Sequence, residues 1–109
     1  MGLKKQERKI LEKFRLRIGT LLQDPGVEIK LFGSKARGEA REGSDLDVLV
    51  IVSSEDWHLS DRVYEIVTDL LLESGVCISP KIISKKQYDD LLREDSPFIR
   101  NVIRDAVAV

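Results

Sequence analysis

The sequence predicts an α/β domain, a small mixed β-sheet of three to four strands packed with helices, filling residues 1–109 as one unit. Three observations predict it. Helical and strand-like periods alternate along the chain in the order α-β-α-β-α-β-α-α. A length of 109 residues is enough for one core and too short for two. Apolar residues at 42% with charged residues at 34% suit a globular chain with a densely charged surface.

From Leu3 to Gln23, apolar residues fall at Ile10, Leu11, Phe14, Ile18, Leu21 and Leu22, the spacing of an amphipathic helix. Its other face is basic (Lys4, Lys5, Arg8, Lys9, Lys13, Arg15, Arg17) and reads as solvated rather than as a phosphate-backbone surface. Pro25-Gly26 ends it. Val27 to Phe32 is a short strand closed by Gly33, and Ser34 reads as the N-cap of a short helix through Ala36 and Arg37 that ends near Gly38. Asp45 to Val52 is a β-branched, nearly continuous apolar run headed by two acids, as expected of a central strand.

Ser60 reads as the cap of a helix carrying Val63, Ile66, Val67, Leu70 and Leu71, which ends around Gly75. Val76 to Ile83 is a third strand, and Pro80 within it favours an edge or a bulge. Ser84 with Gln87 fits a capping box for a helix to about Arg93, and Ser96-Pro97 fits the start of a last helix. The segment from Pro97 to Val109 carries Phe98, Ile99, Val102, Ile103, Ala106, Val107 and Val109. It either completes the core or leaves a patch for a homo-oligomer or a helical partner. Trp57, after the central strand, either caps the core or stacks on a base.

Composition removes several classes of function. With 18 Lys plus Arg against 19 Asp plus Glu, no overall field draws the chain to nucleic acid or an anionic membrane, so any anion site must be local. No apolar run approaches the roughly 20 residues of a membrane helix, and the charged N-terminus lacks a signal peptide's apolar stretch. A cytoplasmic protein is expected. Cys77 is the one cysteine and His58 the one histidine, which leaves no zinc cluster. Cys77 reads as a small buried hydrophobe and His58 as a surface residue at a helix entry.

The chemistry gathers at two places. A turn that follows a strand and opens a helix presents free N–H groups and the positive end of the helix dipole, so Gly33-Ser34 is suited to a phosphate. Arg37, one turn on, carries a planar fork for the same anion. Asp45 and Asp47 lie two apart at a strand start, so their side chains leave one face and repel by roughly 1 kcal/mol in water at about 4 Å. A divalent cation such as Mg²⁺ reverses that cost, and it commonly binds one or two carboxylates together with substrate phosphates. Ten residues separate Ser34 from Asp45, so the two motifs meet if their strands pair antiparallel.

The stretch from Leu31 to Val50, Leu-Phe-Gly-Ser-Lys-Ala-Arg-Gly-Glu-Ala-Arg-Glu-Gly-Ser-Asp-Leu-Asp-Val-Leu-Val, resembles the signature of the DNA polymerase beta-like nucleotidyltransferases, in particular the minimal ones of prokaryotes. The resemblance implies the nucleotidyltransferase fold and metal-dependent transfer of a nucleoside monophosphate from a triphosphate, ATP first among candidates, to an acceptor hydroxyl. It implies Gly33 and Ser34 as the phosphate-binding pair and Asp45 and Asp47 as catalytic residues that hold Mg²⁺. Arg37 and Ser44 match flanking substrate-binding positions. Such proteins often bind a helical HEPN-domain partner as antitoxins that can transfer AMP to it.

One departure divides the functional expectation. The resemblance implies a third acid on a neighbouring strand, yet Val76 to Ile83 offers Ser79, Pro80 or Lys81 there. Lys81 reads either as a solvated edge residue or as a phosphate ligand. One reading is an active enzyme that borrows an acid from Glu28, Asp56 or its partner. The other is a non-catalytic, nucleotide-binding antitoxin-like subunit.

Overall fold

The computed structural model describes residues 3–38, 44–53 and 57–109, with Trp57 described by its backbone alone. Helix α1 (Lys5–Leu22) leads into strand β1 (Glu28–Phe32), the one-turn helix α2 (Gly33–Arg37) and strand β2 (Leu46–Val52). Helix α3 (Trp57–Ser74), strand β3 (Ile78–Ser84), helices α4 (Lys85–Glu94) and α5 (Pro97–Asp105), and strand β4 (Val107–Ala108) follow. The described residues form one four-stranded mixed sheet in the order β3-β2-β1-β4. β1 pairs antiparallel with both β2 and β4, and β2 pairs parallel with β3.

The sheet has two unlike faces. Val48, Val50 and Val52 of β2 join Ile29, Leu31 and Ile78 in packing against Ile10, Leu11, Phe14 and Ile18 of α1 and Val63, Ile66 and Leu70 of α3. The alternate residues Leu49 and Ile51, with Ile83, meet Ile99 and Val102 of α5. Both faces of β2 are therefore covered, which is why its sequence reads as a continuous apolar run rather than an alternation. Part of the basic face of α1 binds α3: Lys13 pairs with Glu73, and Arg17 with Asp69 at 3.1 Å.

Three expectations from the sequence change. α3 begins at Trp57, so Ser60 lies inside the helix instead of capping it; the buried Leu59 belongs to the added turn. α2 begins at Gly33 with Phe32 in the N-cap position, which puts Ser34 in the first turn. The last helix stops at Asp105 and the chain turns extended at Ala106, where Val107 and Ala108 line up against Leu31 and Lys30. The Val109 N–H donates to the Ile29 carbonyl at 3.0 Å, closing that edge. This C-terminal segment completes the core with Ile99 and Val102 and also leaves Ile103 56% exposed.

Other features hold. β3 is an edge strand with Pro80 inside it. Ser84 and Gln87 form the reciprocal capping box, with both hydrogen bonds near 3 Å (2.9 and 3.1 Å). Gly75, φ +78°, follows α3 in the left-handed conformation. Asp56 and the Trp57 indole lie outside the described residues, as does the stretch 39–43.

Candidate functional site

The antiparallel register sets Phe32, the last residue of β1, opposite Asp47. The next residue, Gly33, has φ +76°, and a Cβ on it would stand 2.5 Å from Asp47 Oδ2. Glycine is required here twice over, for a left-handed backbone and for close approach to a carboxylate. The turn at the start of α2 and the acid of β2 thus form one continuous surface.

Asp45 immediately precedes β2, where the Leu46 N–H donates to the Cys77 carbonyl at 3.0 Å and extends the ladder towards β3. Burial and the neighbouring Asp45 charge push the Asp47 carboxyl above the ordinary carboxylate range, against the opposing pull of Arg37. The two aspartates therefore stand near enough to repel. Ser44, half-buried, adjoins Asp45 in sequence, and Ser34 is half-buried in the first turn of α2. Cys77 sits just before β3 and is only partly buried; burial, the Asp45 charge and a hydrogen bond to Asp45 all keep its thiol protonated by raising its pKa.

The parallel register of β2 and β3 sets Ser79 beside Asp47 and Lys81 beside Leu49. The residue next to Asp47 on the neighbouring strand is thus a hydroxyl, not a carboxylate. Glu28 is no substitute: it lies four residues from Phe32 at the far end of β1, about 13 Å away along an extended strand. A cleft of about 360 Å³ opens along this edge, lined in part by Phe32, Asp47, Ser79 and Lys81, with Ser60 and Tyr64 of α3 on its other side. Lys81 is exposed, with Nζ 4.8 Å from the centre of the Phe98 ring, and Phe98 meets Phe32 edge-on at 5.8 Å.

Two ion pairs hold α2. Lys35, 3% exposed, pairs with Glu7 Oε2 at 2.7 Å, while Glu7 Oε1 accepts the Lys4 N–H at 2.9 Å. Burial works to raise the Glu7 carboxyl, but the Lys35 hydrogen bond and the Lys4 backbone bond outweigh it and hold the carboxyl below its usual range. Arg37 Nη1 binds Asp105 Oδ2 at 2.7 Å, and the Asp105 side chain is 3% exposed. Sequence reading missed both acids. Their one signal was isolation: Glu7 is the single acid among residues 1–11, and Asp105 the single acid among residues 97–109.

As to a metal, the donors are two repelling carboxylates, an all-oxygen set that fits a hard cation completing its shell with phosphate and water. The described residues contain no group of three or more His, Cys, Asp or Glu placed to hold one metal ion, so a cage built from protein alone is not what they offer. No helix among them is long and apolar enough to cross a membrane.

Comparison with known proteins bears on the assignment. The family model of the nucleotidyltransferase domain matches residues 8–106. A Methanocaldococcus jannaschii protein named a putative protein adenylyltransferase is 35% identical over 77 residues, 70% of this chain and 78% of that protein. The crystal structure of a putative nucleotidyltransferase from Sulfolobus solfataricus covers 99% of this chain and 89% of its own, with a TM-score of 0.59 and 21% identity. A toxin-antitoxin crystal structure with AMP-PNP covers 89% of this chain and 70% of its own, with a TM-score of 0.53 and 19% identity. The match along nearly the whole chain, and the geometry of Gly33 against Asp47, make this chain a member of the nucleotidyltransferase domain family.

Proposed function

We propose that the domain transfers the nucleoside monophosphate of Mg-bound ATP to a hydroxyl on a partner protein of the helical HEPN type. The observation that carries the reading is the approach of Gly33 to Asp47, which joins an anion-binding turn to a carboxylate pair. The Gly33 and Ser34 amides and the Ser34 hydroxyl bind the phosphates, with Ser44 and Arg37 flanking them. Asp45 and Asp47 hold the cation, which when bound offsets the charge of the triphosphate and polarises the reacting phosphoryl group. The acceptor hydroxyl loses its proton to solvent water, its oxygen bonds to the α-phosphorus, the bond from that phosphorus to the α,β-bridging oxygen breaks, and pyrophosphate leaves. Positioning supplies most of the catalysis in such a transfer.

The protein adenylyltransferase name of the archaeal relative supports AMP as the group transferred and a protein as its acceptor. The AMP-PNP of the toxin-antitoxin neighbour supports a nucleotide in the site and a partner beside it. Incubation with Mg²⁺, α-labelled ATP and the partner is expected to label the partner. Asp45→Asn and Asp47→Asn should each abolish labelling, and a variant that labels like the wild type overturns the assignment.

A second reading rests on Ser79. With a hydroxyl beside Asp47, the described site lacks a third carboxylate to draw the acceptor proton, which leaves a nucleotide-binding, non-catalytic antitoxin-like subunit. Calorimetry separates the two: MgATP binding without any transfer, together with partner neutralisation by an Asp45→Asn, Asp47→Asn double variant, selects the second.

A further inference from the structure

A helix of one turn cannot hold its own shape, because nucleation costs more than its few hydrogen bonds return. α2 depends on its tethers, and the tether through Arg37 has an unusual composition. Asp105 Oδ2 accepts from Arg37 Nη1 at 2.7 Å, and Oδ1 accepts from Arg104 Nε at 3.0 Å. Arg104 Nη2 also reaches Oδ2 at 3.4 Å. One nearly buried carboxylate thus binds two guanidinium groups, and the trio keeps a net positive charge. That charge lies close to the site, since Arg37 ends the single helical turn that Gly33 opens.

The placement of Asp105 runs against local electrostatics. It is the last residue of α5, where the helix dipole disfavours a carboxylate. The two arginines offset that cost. α5 itself is a firm base, because Ile99 and Val102 are buried beneath Leu49 and Ile51. A carboxylate there fixes the direction of whatever guanidinium it binds.

We infer that Asp105 is a positioning residue, which holds the Arg37 fork at the mouth of the Gly33–Asp47 site for the nucleotide phosphates. Arg104 shares the same carboxylate, so Asp105 alone does not neutralise both guanidinium groups. This inference rests on the nucleotide reading above and adds to it the acid that aims the phosphate-binding arginine. It also separates the two tethers of α2, since the Lys35–Glu7 pair is buried and turned away from solvent.

The test is a set of calorimetric titrations on the full chain with MgATP and, separately, adenosine. Asp105→Asn, which keeps the shape of the side chain, should weaken MgATP binding about tenfold and leave adenosine binding alone. Arg37→Ala should do the same, and the double variant should bind no more weakly than Arg37→Ala alone. Asp105→Glu should restore most of the loss. If Asp105→Asn binds MgATP like the wild type, or loses as much in the Arg37→Ala background, the positioning role is wrong. Should Asp105→Asn not fold, Arg104→Met supplies the answer: a several-fold loss for MgATP supports the role, and unchanged binding refutes it. Wild-type protein that binds no MgATP removes the nucleotide reading itself, a result distinct from all of these.

Discussion

The two faces of the sheet are built for different ends. On the side of α1 and α3, sixteen buried apolar residues form one cluster, and it runs the length of β2 from Leu46 to Val52. On the side of α4 and α5, five buried residues suffice, and the sheet beyond them turns polar through Asp47, Ser79 and Lys81. The first face carries most of the burial free energy. The second gives up burial at one end so that charged groups can stand at the mouth of a cleft. Stability and chemistry are divided between faces of the same strand, with α2 fastened to both.

That division is open to direct attack. Phe14 is fully buried in the larger cluster, and Phe14→Ala should cost about 4 kcal/mol, with a melting temperature lower by some 20 °C at ~5 °C per kcal/mol. A comparable loss from any single substitution at Asp45, Ser79 or Lys81 would break the comparison. Lys35→Met leaves the Glu7 carboxylate half of a buried pair without its counter-charge, and about 3 kcal/mol should be lost in chemical denaturation. Gly33→Ala forces a side chain into left-handed backbone and against Asp47 Oδ2; about 2 kcal/mol is expected, with MgATP binding lost as the carboxylate is displaced. Asp47→Asn should act in the opposite sense, raising stability slightly, by on the order of 0.5 kcal/mol after solvent screening, through relief of the carboxylate's burial and of the repulsion from Asp45, while removing transfer activity. A destabilised Asp47→Asn protein would mean that the acid serves the fold.

The same two acids predict opposite responses to pH. The Glu7 carboxyl is held below its unfolded value, so its pair stabilises the protein above the ordinary carboxylate range and fails as pH falls through the depressed value. The Asp47 carboxyl is held above its unfolded value, so its charge costs stability at neutral pH, and acidification through the raised value relieves that cost. Melting curves across the acid range should show the wild-type decline made shallower in Lys35→Met, where Glu7 has lost its cation, and steeper in Asp47→Asn, where the compensating relief is gone.

Much of this was legible in the sequence, and the rest was hidden for physical reasons. The spacing of Ile10, Leu11, Phe14 and Ile18 reported the buried stripe of α1, since a helical period registers directly in sequence. Pro80 reported an edge strand because it removes a ladder donor. The meeting of Gly33 with Asp47 followed once β1 and β2 were paired antiparallel. β4 was invisible, because a two-residue pairing has no period to read, and the helical spacing of Phe98, Ile99, Val102 and Ile103 ran on into it. Lys35 was hidden by its type: a lysine one residue past the Gly33-Ser34 turn reads as surface, yet Glu7 draws it inside. Arg37 was assigned to the phosphate from its place one turn into α2 and from the family resemblance, and its bond to Asp105, 68 positions away, has no local period that would report it.

That separation also sets a timetable. A ribosome releases β1, α2 and β2 before it releases α5, so Arg37 waits for a further 68 residues before its tether is made. The Glu7–Lys35 pair is available early, and Asp105 closes the arrangement late. A nascent chain therefore makes the Gly33 turn well before the acid that meets Arg37, and the two are joined only when α5 packs against β2.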